Sequence, residues 1–315
     1  MSSSAEHFAP RLRSRRLAGI AFGVACFLAT LTGVIFLIVL LGSVILAATS
    51  RYSSTGEARP SISVLALPGE VSGLVTKFPS SSPAKAGFKA GIVGSLWLLV
   101  LVLVFAIPIG VGAAVYLEEF ASPGRLRDLI QLNIANLAGV PSIVYGILGL
   151  AVFVRAFGYR SLSLGETLWA GGLTLSLLVL PVVVIATREA LRSVPPSLRQ
   201  AALALGATKW QVVRDHVLPS AIPGVLTGTI LAVSRAIGET APLLMVGAAG
   251  AIFRLPSGPS SLYTALPVEI YNYAKQPNPA FRSVAAGGIM ILLALLLTMN
   301  SVAIVIRNRY RVHSR

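Results

Sequence analysis

Charge is scarce in this 315-residue chain: Asp, Glu, Lys and Arg make up only 12% of it, about half the share of a soluble globular domain. Cysteine is almost absent. The single one, Cys26, excludes a disulfide framework and a thiolate metal site. The three histidines, His7, His216 and His313, have no metal-ligand spacing, and His216 reads as a surface contact. No Gly-x4-Gly-Lys-Ser/Thr loop occurs, so the chain is not expected to hydrolyse ATP itself. A Gly-x-Ser-x-Gly elbow and a His-Glu-x-x-His helix are also missing, which argues against an intramembrane hydrolase.

What fills the chain instead is apolar: 55% hydrophobic residues and a mean hydropathy of +0.80. A helix crossing a bilayer needs about 20 mostly apolar residues. Six runs qualify, within 17–49, 87–116, 129–154, 164–187, 220–247 and 284–306. The expected fold is therefore an all-α integral membrane protein with six transmembrane helices. The first run has 33 residues, far beyond the roughly 7–15 of a signal-peptide core, and reads as a retained anchor. Residues 50–86, rich in Ser, Pro and Gly, are expected to form an irregular extracytoplasmic loop between that anchor and a five-helix core at 87–306.

The net charge of +15 follows from 26 basic against 11 acidic residues. With the N-terminus inside, 15 Lys and Arg fall on the cytoplasmic side and 10 outside, with Arg235 inside a span. This bias predicts both termini in the cytoplasm, as basic tails at 1–16 and 307–315. Basic loops of this origin need no nucleic acid as a partner; membrane lipid is the expected one. Glu118, Glu119 and Asp128, beside Arg125 and Arg127, read as solvated loop residues. Pro108, Pro141, Pro181, Pro223 and Pro242 are expected to kink or interrupt helices. The pairs Gly19/Gly23, Gly87/Gly91 and Gly224/Gly228 have the spacing of close helix packing.

The polar stretch at 188–219 falls in the cytoplasm on this assignment. Pro195 and Pro196 suit the first turn of a helix. Gly206 suits the left-handed residue that ends it. Thr208 and Gln211 have capping-box spacing for a second helix, closed by Pro219. Gln200-Ala201-Ala202, three residues, Gly206, nine residues, then His-x-Leu218-Pro219 resembles the EAA loop of ATP-binding-cassette importer permeases. In that family the loop docks into a cleft on the ATPase, and small residues at 201, 202 and 206 fit a close approach. Gln200 replaces the family's glutamate and His216 its aliphatic residue. The alternative is a pair of amphipathic helices lying on the membrane surface.

The span at 220–247 carries Arg235-Ala-Ile-Gly-Glu239-Thr240-Ala-Pro242. Arg235 and Glu239 are four apart, so they share a helical face and can pair. Such charges usually face a partner or a cavity: either the pair fixes helix packing, or it lines a solute path. This run, with Tyr116-Leu-x-Glu119-Phe and Gly139-Val-Pro-Ser-Ile-Val-Tyr-Gly146, resembles the PstA-type permeases of phosphate importers. The resemblance implies a type I importer permease fold. It also implies a phosphate pathway through Arg235, Glu239 and Thr240, and a coupling loop through Gln200, Ala201, Ala202, Gly206, Leu218 and Pro219. The implied partners are a PstC-like permease, two PstB-like ATPases that carry ATP and Mg, and a PstS-like phosphate-binding protein, periplasmic or lipid-anchored. The rival readings are a type I permease for another oxyanion or small solute and a secondary transporter.

Overall fold

The computed structural model describes residues 12–52, 58–60, 67–159, 161–248 and 252–312. The predicted tail at 1–16 lies mostly outside them, as do His7 and His313. Beyond its basic start, helix α1 (Leu12–Thr49) is apolar on every face, and it is exposed over 15–40 and partly covered over 41–49, a pattern that suits a helix bathed in lipid. It touches the rest of the chain chiefly through the last helix. In the described part of 50–86, expected to be irregular, strands β1 (Ser50–Tyr52) and β2 (Ala58–Pro60) pair antiparallel, and α2 (Leu67–Thr76) follows.

The core begins with α3 (Lys89–Val115), prolonged by a π turn at Tyr116–Phe120. The predicted third span is two helices, α4 (Arg125–Ala138) and α5 (Ser142–Gly149), bent by 101°. Gly139 ends the first, and Pro141 drives Val140 out of helical conformation. The expected run at 129–154 is thus interrupted at Pro141, as that proline predicts, and it begins earlier, at Arg125. Helix α6 (Leu168–Arg192) is the most enclosed of the long helices and lies between α3, α4 and α5 on one side and the later helices on the other. Pro108 and Pro181 are accommodated inside α3 and α6 without ending them.

The loop region forms α7 (Pro196–Ala204) and α8 (Lys209–Val212). Pro219 does not close α8. A π turn at Val213–Val217 carries the chain straight into α9 (Leu218–Gly238). A wide turn just before a proline accommodates its missing N–H and its ring. Helix α9 contains Pro223 and stops at Gly238, so the expected span 220–247 is broken at Glu239 and Thr240 before α10 (Ala241–Met245). Helices α11 (Leu266–Ala274) and α12 (Phe281–Val312) complete the chain. Among the described residues five helices are long and apolar enough to cross a membrane, or six if the bent pair counts as one span.

Small residues set the helix spacing. A Cβ on Gly224 would come within 2.6 Å of the Ala190 methyl, and one on Gly228 would overlap that of Ala186. Both therefore hold α9 against α6. Gly91 also meets another helix, α11, whereas Gly87 meets the Lys77 backbone. Gly19 and Gly23 meet nothing, because α1 stands apart from the core.

At the far end of α3, Glu118 and Glu119, expected to be solvated, are instead enclosed by arginines, while Asp128 is exposed as expected. Arg188 and Arg192 donate from Nε to Glu118 at 3.2 and 2.7 Å, and Arg127 lies 3.7 Å from the same carboxylate. The Glu119 side chain is only 9% exposed and accepts from Arg199 Nη2 at 2.7 Å. Arg199 also donates to the carbonyls of Leu191 and Val194, at 2.8 Å each. One guanidinium thus ties the end of α3 and the chain leaving α6 to α7, adding a bond to carbonyls at and just past the α6 terminus. Removing one member of such an enclosed pair costs about 3–5 kcal/mol. Arg199→Met is therefore expected to lower the melting temperature of the detergent-purified protein clearly, and the double variant with Glu119→Gln to recover part of the loss. An Arg199→Met protein that melts with the wild type would show that the clasp is dispensable.

Candidate functional site

Two groups of predicted residues lie at different places in the bundle. The first is the α7–α8 turn. The Gly206 N–H donates to Leu203 O at 3.0 Å and the Ala207 N–H to Ala202 O at 3.2 Å, with Gly206 at φ +87°. These are the two bonds of a Schellman ending, and they need a residue without a Cβ at the left-handed position. Thr208 and Gln211 then form the capping box, with the Thr208 N–H donating to Gln211 Oε1 at 2.8 Å. The turn is rigid because its own backbone groups are satisfied.

Its outer surface is apolar and unoccupied within the chain. Leu205 is 89% exposed, and Leu203, Trp210, Gln200, Ala201 and Gly206 are exposed around it. Nothing lies within 4 Å of the place a Gly206 Cβ would take. Ala202 departs from the expectation: it is buried and packs inward with Leu191, Val212 and Val217. Leu218 is half-buried, and Pro219 is exposed in the first turn of α9, beyond the tip of the turn.

The second group is the interruption between α9 and α10. Arg235 Nε donates to Glu239 Oε1 at 3.2 Å across the last turn of α9. Their side chains are 38% and 17% exposed. The bond uses Nε only, and the two terminal Nη groups have no partner among the described residues. Glu239 leaves helical conformation at ψ 112°, and Thr240 caps α10 without a side-chain hydrogen bond. Beside them, Ser234 donates to Asn300 Oδ1 at 2.7 Å, tying α9 to α12. Gly146 on α5 lets the Pro242 backbone approach so closely that a Cβ would sit 2.7 Å away. The pair thus stands at a helix break that α5 and α12 brace from two sides.

Sequence reasoning missed Glu269. It lies in a segment assigned to the outside, yet it is 1% exposed and both carboxyl oxygens lack a hydrogen-bond partner. Burial pushes its pKa up to about 8, opposed by the Gly91 amide, which lies close to the carboxyl without forming an aligned hydrogen bond. The signal available was the apolar run Leu262–Val268 around it, unusual for a solvated loop. Among the described residues no cluster of His, Cys, Asp and Glu could hold a metal ion.

Comparison with known proteins places these features in a family. The family described as "Binding-protein-dependent transport system inner membrane component" matches residues 106–311. Probable ABC transporter permease protein YqgI of Bacillus subtilis is 39% identical over 54% of this chain and 56% of its own length, so the chain spans only a little over half of that relative. The phosphate transport system permease protein PstA of Yersinia pestis is 32% identical over 72% of this chain and 75% of its own. PstA of Haemophilus influenzae is 34% identical over 71% and 77%. Among solved structures, a bacterial ABC transporter involved in import of the acidic polysaccharide alginate shares the fold, with a TM-score of 0.60 at 18% identity over 94% of this chain and 99% of that one. The MetNI methionine ABC transporter does so with a TM-score of 0.55 at 20% identity over 71% and 97%. The chain belongs to the family of inner membrane components of binding-protein-dependent transport systems, with PstA-type permeases among its relatives.

Proposed function

We propose that this chain is a permease subunit of an ATP-driven importer that moves inorganic phosphate into the cell. The observation that carries the reading is the Arg235 guanidinium. It sits at a helix break, oriented by Glu239 through Nε, with no partner for either terminal nitrogen among the described residues. That leaves a planar fork of donors, which suits a tetrahedral oxyanion. Glu239 refines the choice of anion. Phosphate near neutral pH keeps a proton that it can donate to a carboxylate, whereas sulfate has none and is repelled. Thr240 stands next in the chain with its hydroxyl uncommitted to a cap. The names of the PstA relatives point to the same solute.

The exposed apolar turn around Leu205 and Gly206 is the surface we assign to a PstB-like ATPase, two copies of which supply the ATP and Mg chemistry that this chain lacks. A PstC-like permease completes the pathway. A PstS-like binding protein delivers phosphate from outside, with both termini of this chain in the cytoplasm.

Losing a hydrogen bond to a charged group costs about 1.5–3 kcal/mol. Arg235→Leu in an assembled complex is therefore expected to cut labelled-phosphate uptake by roughly ten- to a hundredfold, and Glu239→Gln to let sulfate compete better. Wild-type uptake by an assembled Arg235→Leu complex would reduce the pair to a structural one. Sulfate inhibition unchanged in Glu239→Gln would remove its selectivity role.

At Gly206 the left-handed backbone alone costs a side chain about 1 kcal/mol or more. Gly206→Glu, which adds bulk and charge at the turn, is expected to insert normally but to lose co-purification with the ATPase. Retention of the ATPase by that variant would move the docking surface elsewhere.

A further inference from the structure

Between α10 and α11 the chain turns back into the protein. From Tyr263 through Thr264, Ala265, Leu266 and Val268 to Glu269, no residue is more than 1% exposed. Three glycines make the space. A Cβ on Gly171 of α6 would overlap the Tyr263 hydroxyl, and one on Gly94 of α3 the Thr264 carbonyl. A Cβ on Gly91 would lie 2.5 Å from the Glu269 carboxyl. The Leu266 N–H donates to Ser95 Oγ at 2.9 Å. The segment is seated in notches cut to its shape.

Its polar side chains oppose that seating. The described residues hold five buried side-chain N or O atoms without a partner, and four of them are the Tyr263 hydroxyl, the Thr264 hydroxyl and both Glu269 oxygens. Folded proteins have only a few such atoms per hundred residues. Four within seven residues indicate a segment held in place by apolar packing and better solvated elsewhere.

The position of the segment says what it blocks. Ala265 meets Ala236, Ile237 and Leu243 around a void of about 10 Å³, at the lower limit for one water. Ala236 and Ile237 lie in the last turn of α9 and Leu243 in α10, so the segment is packed against the helix break at Glu239 and Thr240. On its other side a cleft of about 90 Å³ opens between Pro79–Ser81 and the Glu269–Gln276 face of α11, room enough for a few waters. The end of α3 that it occupies is opposite the end clasped to α7.

We propose that Tyr263–Glu269 is a retractable plug closing the anion pathway at the end away from the ATPase, with the buried Glu269 carboxyl as its latch. This rests on the permease reading above. The surroundings of Glu269 contain no counter-charge. Its own helix offers the Tyr273 phenol, itself pushed up by burial, and α3 offers the Gly91 amide. The turn at 79–81 presents Ser80 and Ser81, and α12 packs Phe281, Val284 and Ala285 against the Leu266–Tyr273 cluster.

The sign of the pH effect follows. Burial raises the seated carboxyl to about 8 from an ordinary 4.5, so the seated state keeps a proton that the withdrawn state loses. Seating is most favourable below the ordinary value. It weakens by up to tenfold per pH unit as pH rises toward 8, and changes little beyond.

The test uses the full complex, co-expressed with its partner subunits, in membranes. Cys26→Ser removes the native thiol. Thr264→Cys, and separately Ala265→Cys, places one in the plug, to be labelled by a membrane-impermeant maleimide from outside. Slow labelling at rest is expected, rising at least tenfold when the ATPase is cycling or trapped with vanadate. Resting labelling, divided at each pH by the labelling rate of the same cysteine in denatured protein to remove the thiol's own ionisation, should also rise from pH 6 to 8 with Glu269 and stay flat with Glu269→Gln. Equal labelling of both cysteines in every nucleotide state overturns the plug, and pH-independent labelling with Glu269 in place overturns the latch. Phosphate uptake measured in parallel separates the two readings: nucleotide-dependent labelling without phosphate uptake sinks the choice of solute, while static labelling with phosphate uptake sinks the plug.

Discussion

No water reaches the hydrocarbon core of a bilayer to satisfy a broken backbone, so a helix crossing it can be interrupted only where protein covers the break. The described fold follows that constraint. The breaks near Val140 and Glu239 lie against each other's elements, with α5 packed on α10 through Gly146. The turn into α11 is enclosed by α3 and α6, and Ser95 accepts its Leu266 amide. Each interruption occurs where small residues let another backbone come close. Helix α1, which has no such neighbour, is unbroken from Leu12 to Thr49.

The parts legible in the sequence were those whose physics is local. The left-handed Gly206, the capping box of Thr208 with Gln211, and the contact of Arg235 with Glu239 each depend on residues within a turn or so of one another. They are present with the expected geometry. Segment type was legible because twenty apolar residues admit few outcomes. Pro219 was misleading: its cost to a helix is large in isolation, but a single wide turn at Val213–Val217 absorbs it.

What could not be read was non-local. Glu119 and Arg199 are eighty positions apart, and nothing in the composition of either loop reveals that one carboxylate will be enclosed by a guanidinium from the other. The burial of Glu269 likewise depends on Gly91 and Gly94 being free of side chains far earlier in the chain. Charge counting assigned that glutamate to an outside segment, and such a count says nothing of whether the segment folds back into the bundle.

The same two helices carry both ends of the machinery. Helix α3, about 40 Å long at 1.5 Å per residue over Lys89–Val115, meets the Tyr263–Glu269 segment at Gly91 and Gly94 and reaches Arg199 of α7 through Glu119 at its other end. Helix α6 holds Tyr263 at Gly171 near its start and lends the Leu191 carbonyl to Arg199 at its finish, with the Val194 carbonyl just beyond it. Coupling between distant sites needs an element with two arrangements that both sites bias. On the functional reading proposed here, a tilt of α3 against α6, driven at the Arg199 clasp, would shift three glycine notches whose fit to the segment tolerates no added methyl group. A close-packed interface that cannot deform gradually changes by unseating, so a small displacement at the coupling turn is enough to release a segment whose own polar groups already favour water.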